Sequence, residues 1–91
     1  MLNVRYHIQF KKDYKLLKKS NYKIELLNDV IKKLAEGKKL EAKYKDHPLK
    51  GEYVGCRECH IQPDWLLIYE IDKKDLILYL TRTGTHSDLF K

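Results

Sequence analysis

The apolar residues of this chain change their period part-way along it, and that change constrains the fold more than any other feature. Up to Gly37 most of them recur at helical spacing; from Glu52 they fall into short β-rich runs. A chain of 91 residues buries only roughly 60–65% of the surface its unfolded form exposes. Both patterns must therefore share one modest core, and residues 1–91 are read as a single domain. The hydrophobic fraction of 43%, with one Trp, two Phe and seven Tyr, is enough for folding rather than disorder.

Before the helical stretch, Val4, Tyr6 and Ile8 alternate with Arg5 and His7, which predicts a short half-buried strand. Phe10, Tyr14 and Leu17 mark a first helix, with Ser20-Asn21 as its stop and as an N-cap candidate for the next. Ile24, Leu27, Val30, Ile31 and Leu34 share one face of a second helix that ends at Gly37, a suitable C′ residue. The pair reads as a helical hairpin.

A lysine-rich loop spans 38–50. Residues 52–61 then read as one or two strands interrupted near Gly55, and Gln62-Pro63 as a turn. Trp65 to Ile71 is the nearly continuous apolar run of a central strand covered on both faces. Asp72 to Asp75 makes a polar hairpin loop, Leu76 to Leu80 the returning strand, and Thr83-Gly84-Thr85 a turn into a terminal segment ending at Phe90.

The expected fold class is α+β, with the helices on one face of a mostly antiparallel sheet that the amino-terminal strand joins. The other face is then open, at least in part, to a ligand.

Charge divides unevenly along the chain. Residues 1–50 hold fourteen Lys/Arg against six Asp/Glu, residues 51–91 five against seven. The basic half suits a phosphate-rich partner, though a solvated lysine-rich helix surface explains it equally well. No apolar run approaches the ~18 residues a membrane helix needs. The opening residues hold no signal-peptide stretch either, and the expected compartment is the cytoplasm.

Four histidines stand in this small basic protein, and three of them, His47, His60 and His86, lie in or just before its second half. Imidazole titrates near ~6.5 and can move protons at neutral pH. Cleaving RNA without a metal needs such groups: a base for the ribose 2′-hydroxyl, an acid for the departing 5′-oxygen, and a cation for the phosphate. Glu58 and His60 are two apart and share a strand face. Asp64 follows the Gln62-Pro63 turn and stays near His60. Arg82 ends the last strand, in phase with Leu76, Leu78 and Leu80. His86 and Phe90, four apart, stack on one side if the end is helical, giving a ring on which a base can rest. His7, without acidic or aromatic company, reads as structural.

Cys56-Arg57-Glu58-Cys59-His60 matches the C-x-x-C-H haem-attachment pattern. On a strand, residues three apart face opposite sides, so the sulfurs diverge; neither haem nor zinc is expected.

Three ordered blocks carry a more specific signal. Asp46 to Gly51, Arg57 to Tyr69 and Leu80 to Phe90, with the basic helical hairpin before them, resemble the YafQ branch of the RelE-type toxins over nearly the whole chain. The resemblance implies a RelE-like fold with a short C-terminal helix. It also implies a ribosome-dependent endoribonuclease that cuts messenger RNA in the ribosomal A site, needing no metal or cofactor and leaving a cyclic or 3′ phosphate and a 5′-hydroxyl.

By the same resemblance His86 is the leading proton-transfer residue, with His60, His47 and Asp64 as acid–base partners. Arg82 stabilises the phosphate, Phe90 holds a nucleotide, and Trp65 joins the substrate set, although core packing accounts for Trp65 as well. Glu58 is added from strand phase. The implied partners are mRNA, the ribosome and an antitoxin of the RelB/DinJ kind. The competing readings are a ParE-like protein that binds DNA gyrase without catalysis, and a plain RNA-binding module.

Overall fold

The computed structural model describes residues 1–90. Its elements run β1 (Asn3–Tyr6), α1 (Ile8–Lys19), α2 (Ile24–Ala35), β2 (His47–Pro48), β3 (Arg57–Gln62), β4 (Trp65–Asp72), β5 (Ile77–Gly84) and α3 (His86–Leu89), with 3-10 turns at Ala42–Tyr44 and Gly51–Tyr53. The sheet order is β1-β5-β4-β3-β2; β1 is parallel to β5 and every other pairing is antiparallel. This is the expected α+β arrangement, with the first strand returning to the sheet beside the last.

β4 explains the packing. Trp65, Leu67 and Tyr69 point to the face covered by α1 and α2, where Phe10, Leu17, Leu27, Val30 and Leu34 meet Cys59, Leu78 and Leu80. Leu66 and Ile68 point the other way and pack with Leu89 of α3, Leu49 and Tyr53. Alternate residues of one strand thus serve two apolar clusters, which is why the run reads as continuous rather than alternating.

α2 closes as its sequence suggests: the Lys38 and Gly37 amides donate to the Lys33 and Leu34 carbonyls, with Gly37 at φ +76°. This is a Schellman closure, and glycine takes that backbone conformation without strain. The hairpin loop is built as expected too, with the Asp72 carboxylate accepting from the Lys74 and Asp75 amides.

Several boundaries differ from the sequence reading. Ile8 is the first residue of α1 and is exposed, not a strand residue. Ser20 caps the end of α1, its hydroxyl donating to the Leu16 carbonyl, while the N-cap of α2 is Lys23 with no side-chain bond. The 38–50 loop contains β2, and of the 52–61 segment only Arg57 onward is strand. Leu76 belongs to the turn, at φ +56°, and β5 continues through Thr83 and Gly84.

The most consequential difference is a bulge. Tyr69 pairs with Leu80 but Ile68 pairs with Arg82, leaving Thr81 as an extra residue. One inserted residue reverses the side-chain alternation. Arg82 is therefore out of phase with Leu78 and Leu80 and in register with Ile68; the pairing of β1 with β5 ends at Leu80, and at this open edge the Arg82 guanidinium reaches Asp13 of α1. Thr83, in register with Leu67, is buried on the helix side.

Candidate active site

The expected residues gather on the sheet face opposite α1 and α2, in two groups. The first lies on β2 and β3. His47 pairs across strands with Glu58, and His60 lies two residues beyond on the same face. The Glu58 carboxylate, 6% exposed, sits between the rings: one oxygen is 3.7 Å from His47 Nε2 and the other 3.7 Å from His60 Nε2. Each opposite ring nitrogen faces a backbone carbonyl, His47 Nδ1 at 2.7 Å from that of Lys45 and His60 Nδ1 at 3.3 Å from that of Pro63. The ring centroids are 6.4 Å apart.

The second group is built by α3. Its N-cap Thr85 and Asp88 form a reciprocal capping box. His86 opens the helix, and its backbone N–H donates to the Asp64 carboxylate at 3.2 Å. The His86 and Phe90 rings lie 4.8 Å apart, and Phe90 meets Tyr53 edge-on at 5.6 Å. The Tyr53 hydroxyl donates to the Leu89 carbonyl. The β3–β4 turn links the groups: the Pro63 carbonyl meets His60, and the next residue, Asp64, holds the start of α3.

Arg82 stands at the open edge of β5, where it meets α1. Its Nε and Nη2 donate to the two carboxylate oxygens of Asp13 on α1, at 2.8 and 3.2 Å, and the same carboxylate accepts the Thr83 amide. The pairing with Asp13 holds the guanidinium pKa above its ordinary value. A parallel pair anchors the segment that carries His47. Asp46 accepts from the Tyr69 hydroxyl at 2.6 Å and from Arg57, and burial, then this bond, pushes the Tyr69 phenol up.

Three of the expected residues have partners of their own within the fold. Trp65 packs in the core: it is buried, edge-on against Tyr22, with its indole N–H donating to the Thr83 hydroxyl. Glu58 is nearly buried and stands between the two imidazoles. Asp64 engages the His86 backbone through one carboxylate oxygen, which positions the start of α3.

Sequence reasoning missed Asp13, Asp46 and Tyr53. Asp13 left one usable signal, since it falls between Phe10 and Leu17 on the buried side of α1, where a lone carboxylate needs a partner. Among the described residues, no group of three or more His, Cys, Asp or Glu is placed to hold a metal ion.

The cysteines diverge as expected, Cys59 packing on the helix side and Cys56 with Leu66 and Ile68 on the other. Burial, reinforced by Asp46 and Glu58, pushes the Cys59 thiol from 9.0 up to about 12. The folded state keeps this proton while the unfolded chain loses it near pH 9. Stability from this site is thus complete below pH 9 and is lost as pH rises toward 12. At pH 8, iodoacetamide is expected to alkylate Cys56 in the native protein and Cys59 only after unfolding, as read by peptide mass mapping. Equal labelling of both in the native state would contradict the buried placement.

The class and then the family follow from comparison with known proteins. A family model described as a bacterial toxin of type II toxin–antitoxin systems, YafQ, matches residues 2–91. Escherichia coli K12 mRNA interferase toxin YafQ is 40% identical over 89 residues, 97% of this chain and 95% of that protein. The crystal structure of a metal-bound toxin from Helicobacter pylori superposes with a TM-score of 0.92 at 47% identity, covering 99% of this chain and all of that one. YafQ in the crystal structure of the E. coli DinJ–YafQ complex gives 0.91 at 39% identity, with full coverage of both chains.

The protein is thus a toxin of the type II toxin–antitoxin class. It belongs to the YafQ family.

Proposed function

We propose that this protein is a ribosome-dependent messenger-RNA endoribonuclease that arrests translation through attack of a ribose 2′-hydroxyl on the adjoining phosphate. The observation that supports the reading is that the β3–β4 turn links His47 and His60, which share the Glu58 carboxylate, to His86, whose ring lies beside that of Phe90. His86, exposed at the start of α3, is the leading proton-transfer group. His60 and His47, tied through Glu58, supply the second. The attack closes a 2′,3′-cyclic phosphate as the bond to the 5′-oxygen breaks; one group removes the 2′-hydroxyl proton and the other returns a proton to the leaving oxygen.

Arg82, oriented by Asp13, faces the charge that develops on the phosphate. Phe90, 38% exposed, offers a ring for a base. None of these steps is assigned to a metal or cofactor.

E. coli YafQ is an mRNA interferase and has been solved with its antitoxin DinJ. For this chain we propose an antitoxin of the same kind, residues 1–91 acting as one toxin domain, and the cytoplasm as the site of action. No helix among the described residues is long and apolar enough to cross a membrane. The lysines of the first half would meet ribosomal RNA and an acidic antitoxin segment, so ribosome affinity should fall steeply with salt.

End-group analysis of the products tests the chemistry. The 2′-hydroxyl route leaves a 5′-hydroxyl on the downstream fragment and a cyclic or 3′ phosphate on the upstream one. A 5′-phosphate on the downstream fragment would overturn it.

A further inference from the structure

Beside His60, on the flank formed by α2 and the Ala42–Tyr44 turn, lies a cleft of about 350 Å³ that the roles assigned above do not use. Its walls are Leu26 of α2, Ile61, Pro63 and the ring of Tyr44; its polar groups are Lys43, Lys45, Gln62 and His60. The Lys33 and Lys43 ammonium groups stand 5.3 and 5.2 Å from the centroid of the Tyr44 ring, so that wall is bordered by positive charge. An apolar floor with a few convergent polar groups, at the lower end of small-molecule pocket volumes, is the form of a binding site.

His60 belongs both to this cleft and to the proton-transfer group, and Pro63 lines the cleft while its carbonyl faces the His60 ring. A strand held for cleavage has to run on past the scissile phosphate, and this cleft adjoins His60. We propose that the cleft is a subsite for the nucleotide flanking the scissile phosphate. Its base packs on Leu26, Ile61 and Pro63, the Gln62 amide bonds the base edge, and Lys43 with Lys45 takes the adjoining phosphate. Single-stranded RNA is recognised in this way, by unstacked bases lodged against apolar or aromatic groups and hydrogen-bonded on their edges. An amide supplies both a donor and an acceptor for that purpose. The inference rests on the ribonuclease reading and adds to it a second point of contact with substrate.

The test is a titration of the folded protein with a 2′-O-methyl RNA trinucleotide, which cannot be cleaved, followed by NMR. The expected result is movement of the Gln62 side-chain amide and the Leu26 and Ile61 methyl signals. The Kd should rise at least five-fold in both Lys43→Ala and Gln62→Ala, whose spectra report that they remain folded. Shifts confined to His86 and Phe90, or an unchanged Kd in both variants, would overturn the subsite. Cleavage of ribosome-bound messages by wild type is read separately. Movement at the cleft without any cleavage would remove the ribonuclease reading and keep a nucleotide site.

Discussion

Replacing His86 by alanine is expected to lower cleavage of ribosome-bound mRNA by about 10²–10⁴-fold, the range for loss of a positioned proton-transfer group. The fold should barely respond. His86 is exposed, its backbone N–H keeps the Asp64 carboxylate, and the Thr85–Asp88 capping box does not involve its ring. Surface substitutions of this kind usually fall within about 0.5 kcal/mol. Single-turnover cleavage and thermal unfolding of the same preparations separate the two effects. A variant that cuts at the wild-type rate would move the leading role to the pair joined by Glu58. Equal losses of activity and stability would mean that the ring holds α3 in place.

Arg82→Ala should instead be expensive in stability. It leaves the Asp13 carboxylate, whose side chain is 10% exposed, with the Thr83 amide and a long contact from Gln9. Removing one partner of a fully buried pair costs about 3–5 kcal/mol. The Arg82 side chain is 22% exposed, so water screens part of the loss, and about 2–3 kcal/mol is expected. At roughly 4–8 °C per kcal/mol for a domain of this size, the Tm falls by roughly 10–20 °C. Arg82→Lys keeps the charge but cannot reproduce the two-nitrogen fork, and should fall between. Asp13→Asn combined with Arg82→Ala should be more stable than Arg82→Ala alone, because the uncompensated charge is gone. Urea unfolding measures all three. A loss below about 0.5 kcal/mol in Arg82→Ala would show that Asp13 is hydrated without its partner.

The parts of the fold that were legible in the sequence are those a local period records. The run from Trp65 to Ile71 announced a strand covered on both faces, and Gly37 announced the end of α2. Glu58 and His60 followed from a period of two, His86 and Phe90 from a spacing of four. What stayed hidden depends on single inserted residues or on distant partners. Thr81 has no composition that marks a bulge, yet it takes Arg82 out of the phase of Leu78 and Leu80. β2 is two residues long and includes a proline, so the strand that brings His47 onto Glu58 reads as loop. Trp65 stands next to Asp64 in sequence, but its indole finds Thr83 in the core. Asp13 makes sense only once a strand from the far end of the chain delivers Arg82 and the Thr83 amide to it.

Ribosome-dependent cleavage is the property on which the proposed function rests. The direct measurement incubates wild-type protein with a defined mRNA in the presence and absence of translating ribosomes and maps the ends produced. The predicted result is cuts within codons that appear only with ribosomes. Equal cleavage of free RNA would contradict the ribosome dependence. No cleavage in either condition, by folded protein that still arrests growth, would contradict the ribonuclease itself.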